Sequence, residues 1–303
     1  MTNPEQPRES RARAVIIGTG RRAIRQYGIT TARWRPDPDF LVIGAKRGGS
    51  TSFYFDLLQH EQLCPLFPKP DHLPKAAATK GIHYFDQNYP RGEQWYRSHL
   101  PSTRARSRLA KKIGAPVLTG EASPYYLYHP AAAGRAHELL PDAKLIAVLR
   151  DPVMRTYSHW KERRRQGSEP LEFIEALAAE DARLGDSATR LLAEPEYHSY
   201  AHEQQSYAHQ SEYDTALAAW LAHYPRTQLL VLASEDYYRA PQDSLDRAAD
   251  FLGLRPQRVV TGEVRNAAAG KDLDPALRAR LAARFAPHNH ALEQLTGEQF
   301  RWQ

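Results

Sequence analysis

The sequence predicts an α/β fold of the P-loop-like, three-layer kind, a central and mainly parallel sheet flanked by helices. Three observations carry this reading. Apolar runs of strand length stand at Phe40–Ala45 and at 143–152, as expected of strands covered on both faces. Each run passes directly into a helix signal, and strands then alternate with helices along the chain. The length of 303 residues fits one large domain of this type.

The elements follow in order. Residues 1–37 read as a basic N-terminal extension ending at "RPDPD", and residues 38–303 as the folded domain. "FLVIGA" at 40–45 is the first strand, and a helix starts near Ser50 with Phe53, Leu57 and Leu58 on one face. "PLFPKPDHLPKAAATKG" is proline-rich and aperiodic, so it reads as loop. "IHYF" at 82–85 and "PVLTGEA" at 116–122 read as short strands, and "AKLIAVLRDP" at 143–152 as a buried one. Asp151 and Pro152 then cap and open a helix that closes on Gly167. "LEFIEALAAEDARLG", "YDTALAAWLAHY", "PQDSLDRAADFLGL" and "DPALRARLAARFAPHN" are helical, and "TQLLVLASEDY" is a strand running into a turn.

Composition narrows the function. Hydrophobic residues make up 42% and charged residues 25%, as in soluble globular proteins. No apolar run approaches the roughly 20 residues that span a bilayer, and "AVIIG" near the N-terminus is too short for a signal peptide. A cytoplasmic protein without a transmembrane segment is expected. The net charge of +6 suits an anionic ligand. Zinc-finger spacing, RNP-like motifs and long basic runs are absent, so nucleic acid is not the expected partner. The one cysteine, Cys64, has no cationic neighbour in "QLCPLFP" and reads as buried and inert. His198, His202 and His209 lack a motif-spaced further ligand, so no metal is expected; their segment reads instead as a histidine- and tyrosine-rich wall of an acceptor cleft. Oligomeric state is open at this level.

Two stretches carry the chemistry. In "GAKRGGST", 44–51, glycines between a buried strand and a helix leave backbone N–H groups facing outward at a helix N-terminus, where anions bind. Lys46 and Arg47 add charge, and Ser50 and Thr51 add hydroxyls. A nucleotide triphosphatase loop requires lysine just before its final hydroxyl residue, here Thr51, and that slot holds Ser50. In "LRDPVMRTYSHW", Arg150 leaves the second strand and Ser158 lies two helical turns on. Both stretches belong at the carboxyl edge of the sheet, where open α/β sheets bind ligands. The pair suits a ligand with two separated anionic groups.

Together these motifs resemble those of sulfotransferases that use 3′-phosphoadenosine 5′-phosphosulfate (PAPS). "GAKRGGST" is similar to the family's 5′-phosphosulfate loop, and "LRDPVMRTYS" to its 3′-phosphate motif. "KGIHYFDQNYPRGEQWYRSHLP", "GEASPYYLYHP", "YDTALAAWLAHYP", "LLVLASEDY" and "LEQLTGEQFRW" resemble, in order, the carbohydrate branch that includes the heparan sulfate N- and 3-O-sulfotransferases and bacterial relatives.

The resemblance implies in-line sulfuryl transfer without a metal. It puts Arg47 in the slot of the loop's catalytic cation. Lys46, Gly48, Gly49, Ser50 and Thr51 would wrap the phosphosulfate, Arg150 and Ser158 would hold the 3′-phosphate, and Arg265 would stand in a C-terminal basic segment on the cofactor. The heparan-type enzymes place a glutamate base two residues before the position of His83, and here that residue is Gly81.

Read as a strand, 81–85 would send His83 to the same face as the missing carboxylate, which makes His83 the expected base. Asp86 and Glu121 are its rivals on the substrate side, and Trp95 is a candidate sugar platform. Ala122 replaces a lysine of the heparan branch, which leaves a neutral sugar, a glycolipid or a hydroxylated metabolite as acceptor. A hydroxyl is favoured over an amine. Phosphoryl transfer of the P-loop type and non-catalytic nucleotide binding are the alternatives.

Overall fold

The computed structural model describes residues 20, 22–68, 81–259 and 273–302. Four parallel strands form the sheet: β1 (Phe40–Gly44), β2 (Gly120–Ala122), β3 (Lys144–Leu149) and β4 (Leu229–Ala233), in the order β2-β1-β3-β4. Alternation along the two central strands divides the core in two. Leu41, Ile43, Leu145, Ala147 and Leu149 face one layer, and Phe40, Val42, Ile146 and Val148 face the other.

The first layer contains α2 (Ala132–Leu139), α4 (Tyr213–Leu221) and α7 (Pro275–Thr296), contributing Ala136, Trp220 and Leu292. The second contains α1 (Ser50–Leu57) and α6 (Pro241–Leu252), contributing Phe53, Leu57, Leu245 and Ala249. Helix α3 (Pro152–Arg165) leaves β3 and seeds a third cluster through Val153 and Trp160, with Phe173, Tyr207 and Phe285. The Asp151 carboxylate caps α3 by accepting from the Val153 N–H at 2.9 Å, with Pro152 in the first turn.

The expected helices form, with shifted ends. "LEFIEALAAEDARLG" splits into Phe173–Ala178 and Glu180–Leu184, and "SEDYYR" is a helix, α5 (Ser234–Arg239), instead of a turn. Helix α7 runs through Pro287 to Thr296. Proline removes one backbone donor, but Leu281, Phe285 and Leu292 on either side of it are buried and keep the helix in place.

Two strand expectations fail. Only Gly120–Ala122 of 116–122 is a strand, with Leu118 forming one isolated bridge to Leu63. Residues 82–85 form no strand: His83 has φ 53° and a turn begins at Tyr84. The N–H groups of this segment are taken by side chains. Ile82 donates to Glu121, His83 to the Ser123 hydroxyl, and Tyr84 to the Tyr126 hydroxyl, at 2.9, 2.9 and 2.7 Å.

Candidate active site

The two motifs meet at the carboxyl edge of the sheet. After β1 the chain turns through Lys46–Gly49 into α1. Gly49 has φ 88°, and a Cβ there would lie 2.9 Å from the Ser234 hydroxyl and 3.1 Å from that of Tyr238, so glycine is required on both counts. Arg47 Nε donates to Ser158 Oγ at 3.2 Å, joining the loop to α3. Burial lowers the pKa of the Arg47 guanidinium; Glu162 opposes this, and Arg150, Arg163 and Arg165 lower it further by repulsion. Guanidinium groups from the loop, the end of β3 and α3 therefore converge. Glu162, 4.0 Å from Arg47, offsets part of this charge, and such a concentration of cations suits an anionic ligand.

Lys46 turns the other way. Its ammonium donates to the Glu203 carbonyl at 3.0 Å and to Gln204 Oε1 at 2.8 Å, and lies 3.3 Å from Glu203 Oε1. Burial depresses its pKa to about 8, against the pull of Glu203. Arg163 donates to the same Gln204 oxygen at 2.7 Å. Below the loop, fully buried Arg155 donates to Ser211 Oγ at 2.6 Å, to the Lys46 carbonyl at 3.4 Å and to the Tyr207 carbonyl. His159 is also fully buried, and neither ring nitrogen has a partner among the described residues. Burial and its cationic neighbours, Lys46 first, keep it neutral.

On the acceptor side His83 Nδ1 lies 2.8 Å from Asp86 Oδ2. Burial disfavours the imidazolium, but the charge and hydrogen bond of Asp86, with Glu121 and Glu203 further off, outweigh it and raise the His83 pKa. Glu121 is fully buried, taking hydrogen bonds from Ile82 N–H, Ser123 Oγ (2.6 Å) and the Tyr126 hydroxyl (2.7 Å). It does not reach an acceptor; it anchors the His83 segment. Trp95 stands behind Arg91, whose guanidinium lies 5.0 Å from the ring centre, and it packs on the core instead of lining a cleft. Ala122 is fully buried in the sheet.

Gly81 explains the missing carboxylate. A Cβ there would fall 2.5 Å from the Ala122 carbonyl and 2.6 Å from Ser123 Oγ. The strand alternation that first linked His83 to position 81 does not exist; His83 is aimed by its turn and by Asp86 instead. Arg265 lies outside the described residues. Glu203, Gln204, Arg155, Arg163 and His159 were not singled out from sequence, although Glu203 stands in the segment read as a cleft wall. No cluster of candidate metal ligands occurs among the described residues, and no described helix is long and apolar enough to cross a membrane.

With this geometry in view, comparison with known proteins is direct. The chain belongs to the sulfotransferase family, whose model matches residues 38–257. It is similar to human heparan sulfate glucosamine 3-O-sulfotransferase 6, 28% identical over 291 residues, covering 88% of this chain and 73% of that protein. It is also 28% identical over 225 residues to the bifunctional heparan sulfate N-deacetylase/N-sulfotransferase of Drosophila melanogaster; that match covers 72% of this chain and 20% of the relative, so the chain spans about a fifth of that protein's length. Among solved structures, a sulfotransferase from Alicyclobacillus acidocaldarius aligns with TM-score 0.63 and 26% identity over 88% of this chain and 98% of that one. The four-stranded parallel sheet with its helical layers is a sulfotransferase-like fold, and the chain is an enzyme of that family.

Proposed function

We propose that this enzyme transfers the sulfuryl group of PAPS to a hydroxyl group of a small carbohydrate, glycolipid or metabolite. The observation that carries the reading is the convergence of Arg47, Arg150 and Ser158, brought together from two strand ends. The donor set suits a ligand bearing a phosphosulfate and a separate phosphate. Arg47, with the backbone of Gly48 and Gly49 and the hydroxyls of Ser50 and Thr51, would hold the phosphosulfate, and Arg150 and Ser158 the 3′-phosphate. Bound PAPS supplies an activated sulfuryl group whose S–O bond to phosphate breaks as the bond to the acceptor oxygen forms, releasing adenosine 3′,5′-bisphosphate.

The residues of the chain do the rest. Arg47 offsets the negative charge that grows on the leaving phosphate oxygen. Because arginine stays protonated, its contribution is electrostatic. Lys46, next in the loop, contributes through the ion pair that ties the loop to Glu203. His83 takes the acceptor hydroxyl proton on Nε2, while Asp86 fixes the ring through Nδ1 and stabilises the imidazolium that results. Asp86 itself is turned to His83 and not to the acceptor proton.

The test is a thermal-shift comparison of adenosine 3′,5′-bisphosphate with ATP and magnesium, followed by mass-spectrometric detection of sulfate transfer from PAPS to hydroxylated acceptors. Stabilisation by the bisphosphate and a product 80 Da heavier than its acceptor (the mass of SO3) support the reading. Stabilisation by ATP and magnesium alone would overturn it in favour of phosphoryl transfer.

A further inference from the structure

Beside the His83–Asp86 pair opens a cavity of about 580 Å³. That is within the range of small-molecule sites, roughly 300–1,000 Å³. Asp86, Glu203, Tyr200, His198, Arg91 and Glu196 are among the residues that line it. The cavity thus touches both halves of the catalytic arrangement: Asp86 carries His83, and Glu203 carries Lys46 from the phosphosulfate loop.

The two buried carboxylates here are already matched. Asp86 is paired with His83 at 2.8 Å and Glu203 with Lys46 at 3.3 Å. Arg91 is laid against Trp95, and Glu196 is an exposed carboxylate. An anionic acceptor entering this space would meet three carboxylates and one guanidinium. A cationic one would either take Asp86 or Glu203 from its present partner, at the cost of a buried cation left unpaired, or settle for the exposed Glu196, where a solvent-screened ion pair contributes little. A neutral molecule meets neither penalty. Tyr200 suits such a ligand: it is 52% exposed, and an aromatic face can pack on the C–H face of a sugar while hydroxyls reach the polar lining.

We propose that the acceptor is an uncharged polyhydroxylated molecule of mono- or disaccharide size, seated against Tyr200 with one hydroxyl turned to His83. This deepens the sulfotransferase reading above and rests on it. It sets this chain apart from relatives that are named for heparan sulfate, an anionic glycan.

The experiment measures equilibrium binding by saturation-transfer NMR and calorimetry to the full chain saturated with adenosine 3′,5′-bisphosphate. The probes are a panel of uncharged mono- and disaccharides, their uronic-acid counterparts and their free-amine counterparts. Uncharged members should bind at least ten-fold tighter than both charged sets. Tyr200→Ala should weaken their binding about ten-fold without changing the affinity for the bisphosphate, and Glu196→Lys should narrow the gap to the uronic acids. Equal or tighter binding of the uronic or amino sugars, or no binding of any uncharged member at millimolar concentration, overturns the proposal. Failure of the bisphosphate itself to bind is a separate result, and it strikes the sulfotransferase reading instead.

Discussion

Arg47 and Ser158, separated by 111 residues in the chain, meet at 3.2 Å, with the guanidinium donating to the hydroxyl. The contact joins the loop after β1 to the helix after β3, the two segments that the proposed function assigns to the two ends of the nucleotide. Replacing Arg47 with alanine is expected to reduce kcat by about 10²–10³-fold, the usual effect of removing one preorganised charge donor at a reacting centre. Arg47→Lys keeps the charge in the same slot and should retain most of the activity. Steady-state kinetics with PAPS check both, and full activity in Arg47→Ala would remove the residue from the mechanism.

Much of this was legible in the sequence, for physical reasons that differ by region. Strands β1 and β3 are covered on both faces, so their apolar runs announce themselves. Asp151 and Pro152 mark the start of α3 because capping chemistry is local. "IHYF" misled because its apolar residues are buried without a ladder: Tyr84 and Phe85 fill the core while Glu121, Ser123 and Tyr126 take the backbone donors. Nothing in the local pattern reveals side-chain partners some 40 residues away. Glu203 was hidden for the same reason, since its pairing with Lys46 spans 157 residues.

The pH dependence follows from two groups. His83 must be neutral to accept a proton, and its pKa is raised above the ordinary 6.5. Activity should therefore climb as pH rises through that higher value. Lys46 must be charged to keep its ion pair with Glu203, and kcat/KM should fall as pH passes about 8. Asp86→Asn removes the main raising influence on His83, so the acidic limb should move to lower pH while the maximum rate falls. Lys46→Arg should carry the alkaline limb upward. An unchanged acidic limb in Asp86→Asn would exclude His83 as the base. Stability runs the opposite way: the imidazolium–Asp86 contribution is full below the unfolded pKa of about 6.5 and is lost as pH rises through the raised folded value.

His83→Ala is expected to lower kcat by about 10²–10⁴-fold with little change in affinity for the bisphosphate, as for the loss of a general base. A drop in bisphosphate affinity matching the drop in kcat would make His83 part of the nucleotide site.

Gly81→Glu puts back the residue found at this position in the heparan-type enzymes, yet it should not restore activity to His83→Ala. The new Cβ would meet the Ala122 carbonyl at 2.5 Å. The expected result is a fold destabilised by about 1–3 kcal/mol, seen as a lower midpoint in denaturant unfolding. A Gly81→Glu protein as stable as the parent, and active without His83, would show that the turn can open to admit a carboxylate.

In the proposed complex one ligand is gripped at both ends, by Arg47 and by Arg150 with Ser158. Calorimetric titration of adenosine 3′,5′-bisphosphate against adenosine 5′-monophosphate isolates the second grip. A charge-assisted hydrogen bond contributes about 1.5–3 kcal/mol, or roughly ten- to a hundred-fold in affinity. The bisphosphate should bind tighter by at least that factor, and Arg150→Ala should abolish the difference. Equal affinity for the two nucleotides in the unaltered protein would contradict the account.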